Sequence, residues 1–207
     1  MVGTGANGKR SVLARACVVD WEGKILYDAF VQVGERVTDF RTQFSGVRPK
    51  DLQKRTAVKF ADAASSVARW LKGRTLVGHA LRNDLKVLLL SHPRNQTRDT
   101  ASYRPLMRYV RGKFRPRKLR DLAKEHLGLA IQGGEHTPDE DARAAMLLYR
   151  SKRSEWEANL KVFRGEGLAA PKPLRQERAL QKQRLGGRHA EAGDEEDDEN
   201  EDEEEDE

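Results

Sequence analysis

Two β-rich runs split by a five-residue turn, followed by helical and strand-like patterns in alternation, narrow the possible folds of this chain more than any other feature. Val12-Leu13-Ala14-Arg15-Ala16-Cys17-Val18-Val19 and Ile25-Leu26-Tyr27-Asp28-Ala29-Phe30-Val31-Gln32-Val33 flank Asp20-Trp21-Glu22-Gly23-Lys24, a hairpin signature. Residues 38–49 show little periodicity. Residues 60–71 then carry Ala64, Val67, Ala68 and Leu71 on one side at helical spacing. Thr75-Leu76-Val77-Gly78 is short, apolar and bounded by glycine, as a buried parallel strand is. Further helical patterns cover residues 83–90, 119–127 and 138 to about 153. A hairpin followed by alternating strands and helices predicts an α/β fold, with a mixed central sheet flanked by helices.

The end of the chain cannot share that core. Residues 194–207 are thirteen acids and one asparagine, a block that buries nothing and is expected to be disordered. Thirteen of the 33 acidic residues lie there and none of the 39 Lys and Arg, so residues 1–193 carry about +19. A domain that basic is drawn to polyanions, nucleic acid foremost. The expected organisation is a domain over residues 1–170, a basic extension over 171–193, and the acidic tail. The tail either stays solvated, competes with nucleic acid for the basic face, or contacts basic proteins. The single cysteine, Cys17, has no internal partner for a disulfide, which suits a reducing compartment. No apolar run approaches the roughly 18 residues of a membrane span, and no signal-peptide pattern opens the chain, so no membrane partner is expected.

Two short segments hold the side chains suited to chemistry. In His136-Thr137-Pro138-Asp139-Glu140-Asp141, threonine followed by proline and then Glu140 reads as a capping box at a helix start. Asp141 falls in the first turn and His136 just outside it. An imidazole there can take a proton from water, and a metal-bound water yields one readily. The plainer reading is that Asp139, Glu140 and Asp141 complement the helix dipole. Asp84 follows the strand-ending Gly78 by six residues, at the carboxyl end where open α/β sheets bind ligands. Its plainer reading is an exposed carboxylate at a helix start. Arg111-Gly112-Lys113-Phe114-Arg115-Pro116-Arg117-Lys118-Leu119-Arg120 sets six cations around one aromatic, either a phosphate-contacting segment or a solvated loop.

Leu76-Val77-Gly78-His79-Ala80-Leu81-Arg82-Asn83-Asp84-Leu85, then Arg98-Asp99-Thr100, then Gly134-Glu135-His136 through Tyr149 resemble the later blocks of DEDD-type 3′–5′ exonucleases with a catalytic histidine. Val37-Thr38-Asp39-Phe40-Arg41-Thr42 with Ser45-Gly46-Val47-Arg48-Pro49 is similar to the RNA exonuclease 4 branch, nuclear proteins linked to ribosomal RNA processing. The resemblance spans roughly residues 1–160 and implies a ribonuclease H-like exonuclease fold with two Mg²⁺ or Mn²⁺ ions held by four acids. It makes Asp84 and Asp141 the third and fourth metal ligands and His136 the general base. Arg41, His79 and Asn83 become candidates for substrate contact. Asp99 reads as a strand-end cap, and Trp70, Trp156 and Leu148 as packing.

One block departs from the pattern. In the family an Asp-x-Glu pair on the first strand directly precedes Met-Val-Gly, and here Met1-Val2-Gly3 opens the chain. The expectation is a fold with that first strand missing, marginally stable and weak in metal binding. Asp20 and Glu22 repeat the letters of the missing pair but belong to the hairpin turn. The resemblance therefore leaves three outcomes open: a 3′–5′ RNA exonuclease acting on ribosomal precursors in the nucleus or nucleolus, an inactive RNA-binding module, or a DNA exonuclease.

Overall fold

The structure is a computed structural model that describes residues 1–53 and 55–163, of which Met1–Glu157 form one compact unit. The expected domain end at residue 170, the basic extension and the acidic tail lie outside the described residues. No described helix is long and apolar enough to cross a membrane.

Strand β1 (Val2–Thr4) pairs antiparallel with β2 (Arg10–Val12) and, across a register irregularity, with β5 (Val37–Asp39). The expected hairpin is present as β3 (Arg15–Val19) and β4 (Ile25–Phe30), running from Arg15↔Phe30 to Val19↔Ile25. Its turn is held by Asp20, whose Oδ1 accepts the Glu22 and Lys24 amides at 3.0 and 2.8 Å. That commitment matches the turn role expected of Asp20 and Glu22. The turn also docks on helix α5 (Pro138–Phe163). Arg143 Nε donates to the Gly23 carbonyl at 2.8 Å and Arg150 to the Trp21 carbonyl at 3.2 Å, while the guanidinium groups of Arg150 and Arg153 lie over the Trp21 ring.

Residues 38–49 are more ordered than their lack of periodicity predicts. They contain the end of β5 and the short helix α1 (Thr42–Ser45). Side chains replace periodic packing as the organising force. Ser45 Oγ donates to Phe40 O at 2.7 Å and Thr42 Oγ1 to Val47 O at 3.0 Å, closing the loop on itself.

Helix α2 (Phe60–Leu71) matches its periodicity, although the fully buried positions are Ala63 and Val67 rather than the wider face expected. Those two join Leu13, Ala16, Val31 and Leu88 in one core. Ala14, in the connection between β2 and β3, instead meets Val2 and Val47 in a second core. Strand β6 (Leu76–Gly78) runs parallel to β7 (Thr97–Asp99), as its apolar character predicts. Between them helix α3 (Leu81–Leu88) starts two residues earlier than expected. A two-stranded ribbon, β8 (Arg108–Val110) and β9 (Lys113–Arg115), leads into α4 (Leu119–Leu127). Helix α5 exceeds the expected end near residue 153 by ten residues and buries Ala144, Ala145, Leu148, Tyr149 and Trp156. Trp156 stacks on Tyr103 with ring centroids 3.8 Å apart.

The expected mixed sheet is resolved, among the described residues, into four separate sheets. Among the described residues β3 pairs only with β4 and β6 only with β7, so each keeps a free edge. Beside the packing of Leu88 in the first core, a charge clamp ties β7 to α5. Arg98, buried at 5% exposure, donates to Glu157 through Nε at 2.6 Å and Nη2 at 2.9 Å, and Tyr149 adds a hydroxyl to the same carboxylate at 2.8 Å. Removing one partner of a buried pair strands the other charge away from water, which costs about 3–5 kcal/mol when both are fully buried. Glu157 keeps some solvent contact, so Glu157→Ala is expected to cost about 3 kcal/mol and lower the melting midpoint by about 6–12 °C in a circular dichroism melt. Substitution of the exposed Glu155 is the matched control, expected within about 0.5 kcal/mol of the parent.

Candidate active site

Three elements converge on the corner marked by the sequence: the β6–α3 junction, the start of α5, and the segment between β5 and residue 46. Asp99, at the end of β7, organises the first. Its Oδ1 accepts the Ala80 and Ala101 amides at 2.8 and 2.9 Å, and its Oδ2 the Leu81 amide at 3.0 Å. That carboxylate is spent on backbone donors, the capping role expected of it. It also holds Ala80 in the left-handed region, φ 59°, a conformation that L-residues resist. This cap sets where α3 begins and so where Asp84 points.

Asp84 retains surface open to water, yet the protein crowds around it. Loss of surrounding water pushes its carboxyl up to about 6. The Met1 ammonium pulls the other way, while Asp99 and Asp141 add to the rise. Asp84 and Asp141 therefore lie within electrostatic reach of one another. Asp141 is half-buried, and burial raises its carboxyl as well, opposed by a hydrogen bond from Gln132 Nε2 at 2.6 Å. Gln132 was not singled out by sequence. It holds φ 60° and presents its amide NH to Glu140 Oε2 at 3.1 Å. The expected capping box consequently takes another form. Glu140 reaches to Gln132 rather than back to Thr137, while Asp141 N donates to the Thr137 carbonyl at 3.1 Å in the first helical bond.

His136 is fixed by its backbone and left free at its ring. Its amide donates to the Gln43 carbonyl at 3.0 Å, and Gly46, at φ 62°, brings the chain so close that a Cβ there would meet His136 O at 2.8 Å. The ring meets the edge of Phe44, which is 67% exposed, with centroids 5.4 Å apart. His136 and Asp141 attract, since the imidazole lowers the carboxyl's pKa.

The three expected substrate contacts fare differently. Arg41 is committed internally: Nη1 donates to Ser11 Oγ at 2.8 Å, Nη2 to Gly8 O at 2.5 Å, and Nε reaches Asp39 at 3.4 Å. It clasps β2 and β5 together and is not a free phosphate contact in this geometry. His79 is likewise held. Thr100 Oγ1 gives its one proton to Gly78 O at 3.0 Å, so it accepts from His79 Nδ1 at 2.9 Å, and the ring also meets the Arg117 backbone. Burial lowers its pKa, favouring the neutral ring. Asn83 is exposed in the first turn of α3, and only its amide, donating to Ala80 O at 3.0 Å, is engaged.

The donor set has limits. Among the described residues no three His, Cys, Asp or Glu side chains form a group able to hold a metal ion. Asp84 and Asp141 match the sparse ligation Mg²⁺ accepts when waters and substrate phosphates complete its shell. They do not amount to a centre of two ions and four acids.

Residues 4–149 match the exonuclease family model RNase_T. The chain is 47% identical over 163 residues to the RNA exonuclease 4 of Mycosarcoma maydis, covering 78% of this chain and 42% of that protein. The RNA exonuclease 4 of Homo sapiens is 46% identical over 158 residues, 76% of this chain and 36% of that one. The chain thus spans about two fifths of the length of these relatives. Among solved structures, the Saccharomyces cerevisiae Pan2 pseudoubiquitin hydrolase–RNA exonuclease module in complex with A7 RNA superposes with a TM-score of 0.65 at 30% identity, covering 90% of this chain and 30% of that one. The Neurospora crassa Pan2 catalytic unit gives 0.62 at 30% identity, over 72% and 25%. The mixed α/β architecture, the order of the motifs and the length of the match establish the ribonuclease H-like fold, and this chain belongs to the exonuclease family.

Proposed function

We propose that this domain is a divalent-metal-dependent 3′–5′ exonuclease acting on RNA, with Asp84 and Asp141 as acidic ligands and His136 as general base. The observation that carries the reading is a corner where Asp84 and Asp141 are both raised by loss of surrounding water, Asp84 also feels the Asp141 charge, and the His136 imidazole acts on Asp141. Structural placement alone does not require two acids to be gathered where both lose water; perturbed acids of this kind cluster at functional sites. Asp84 and Asp141 would be the residues that hold a divalent cation, which when bound would supply charge stabilisation at the scissile phosphate and a more acidic water.

The chain's own groups divide the remaining work. Asp99 orients α3 and with it Asp84. Gln132 holds Asp141 by one oxygen, leaving the other for coordination. His136, with a rigid backbone and a free ring, takes the proton from water. Phe44 offers a flat apolar face next to that ring for the terminal base. The high positive charge of residues 1–193 favours nucleic acid, and the relatives named as RNA exonucleases favour RNA over DNA. Ribosomal precursors in the nucleus are the substrate and place of action this reading implies. A second reading, RNA binding without turnover, is favoured by one observation, the absence of a three-ligand metal group among the described residues.

A 5′-labelled single-stranded RNA incubated with the 207-residue chain and Mg²⁺ or Mn²⁺ is expected to shorten one nucleotide at a time from its 3′ end, with matched DNA cut more slowly. Asp84→Asn, Asp141→Asn and His136→Ala should each lower kcat by about 10²-fold or more while RNA binding persists. Binding without trimming in either metal would select the second reading. Immediate release of the labelled 5′ nucleotide with no ladder would refute both.

The raised Asp84 carboxyl also has a consequence for stability. Between about pH 4 and 6 the folded chain binds more protons than the unfolded one, so without divalent cations stability falls as pH rises through that window. Asp84→Asn removes this slope. Solvent screening at this exposed site limits the gain, and an increase of about 2–4 °C in melting midpoint at pH 7.5, with none at pH 4, is expected.

A further inference from the structure

We propose that the β8–β9 ribbon is a binding arm for single-stranded RNA upstream of the reacting end; this rests on the RNA reading of the site. Residues 104–118 contain seven Lys or Arg and no acid. The described positions of β8 and β9 are all exposed, so packing against the body does not explain their composition. The turn is tight, with Arg111 at φ 48° and Gly112 at φ 77°, as two-residue hairpins of matching twist require. The ribbon is thus a shaped projection.

Its two faces differ in chemistry. Tyr109 and Phe114 are cross-strand partners on one face, centroids 5.0 Å apart, at 65% and 43% exposure. Arg104 lies over the Phe114 ring at 5.1 Å. Two exposed rings with a guanidinium on one of them form a platform on which bases stack irrespective of sequence. On the opposite face Arg108 stands directly across from Arg115, a like-charge pair that destabilises a ladder, and Lys113 follows on the same side. Phosphates laid along that face turn the repulsion into attraction. Charge and stacking together fit a flexible polyanion bearing bases, and the compact single strand satisfies both faces of a narrow ribbon better than a duplex whose bases are already stacked.

The arm is also joined to the site. His79, at the end of β6, meets the Arg117 backbone, and Arg117 is itself tied to Glu125 of α4 by Nη1–Oε1 at 3.1 Å and a second, closer contact. From that anchor to the Arg111 tip is six residues, up to about 20 Å of reach at strand rise. A strand held at both places would be presented along a fixed path.

The test is equilibrium binding of the full chain in EDTA, where hydrolysis is not needed, so its outcome is independent of whether the domain trims RNA. A 5′-fluorescent single-stranded 12-mer, the matching duplex and anionic vesicles are titrated across a salt series. Phe114→Ala with Tyr109→Ala is expected to weaken single-strand binding about tenfold with the salt slope unchanged, and Phe114→Trp to retain it. Arg108→Gln with Arg115→Gln should flatten the salt slope by about 1.4 and melt no lower than the parent, since it also removes the cross-strand repulsion. Parent-like affinity in both double variants, a loss seen only with duplex, or a loss seen only with vesicles would overturn the assignment.

Discussion

The Arg98–Glu157 clamp is the interaction on which the placement of the site depends. With the ladders unconnected, neither backbone hydrogen bonding nor a continuous sheet holds β6 and β7 against the rest of the molecule. A guanidinium and a carboxylate, with Tyr149 completing the carboxylate's partners, take that role. The next residue after Arg98 is Asp99, which caps α3 and aims Asp84. The helix bearing Glu157 carries Asp141 in its first turn. One ion pair therefore couples the two halves of the acidic corner, and strength here comes from geometry and desolvation rather than from the number of contacts.

Local strain is distributed in the same logic. Arg41, Ala80 and Gln132 all hold positive φ, and all three lie at joints of the corner. Each is compensated by side-chain bonds: the Arg41 guanidinium on Ser11 and Gly8, Asp99 on the Ala80 amide, Gln132 on Asp141 and Glu140. Strained backbone persists only where its surroundings over-determine it, and such places concentrate at working sites.

Much of this was legible beforehand. Periodicity delivered α2 and α4 to the residue, and the turn chemistry of Asp20 marked the hairpin, because these features are decided by neighbours in sequence. Asp84, Asp141 and His136 stand at element ends, where spacing alone suits plain capping, and it is the resemblance to exonuclease motifs that singles them out. Other features were set by distant partners. Asp99, fifteen residues further on, moves the start of α3 from Asn83 to Leu81. Glu140 leaves its capping box for a loop residue, and no pattern announces that choice. Arg41 became a candidate because its segment resembles the family's substrate-side loop, yet three side-chain and backbone acceptors claim it. Gln132 carried no signal beyond proximity to the His136 segment, since its role rests on a backbone angle that only glycine or asparagine would have advertised.

The hairpin turn at Asp20–Lys24 offers a different kind of consequence. Surface turns ordinarily absorb insertions and tags without penalty. This one is moored to α5 through the carbonyls of Trp21 and Gly23, and Arg143, which grips the latter, also pairs with Asp139 at the head of that helix. A loop remote from the acids in sequence thus acts as a calliper on the first turn of α5. Its length is set by the span between its two moorings on α5, not by the freedom of an ordinary exterior bend.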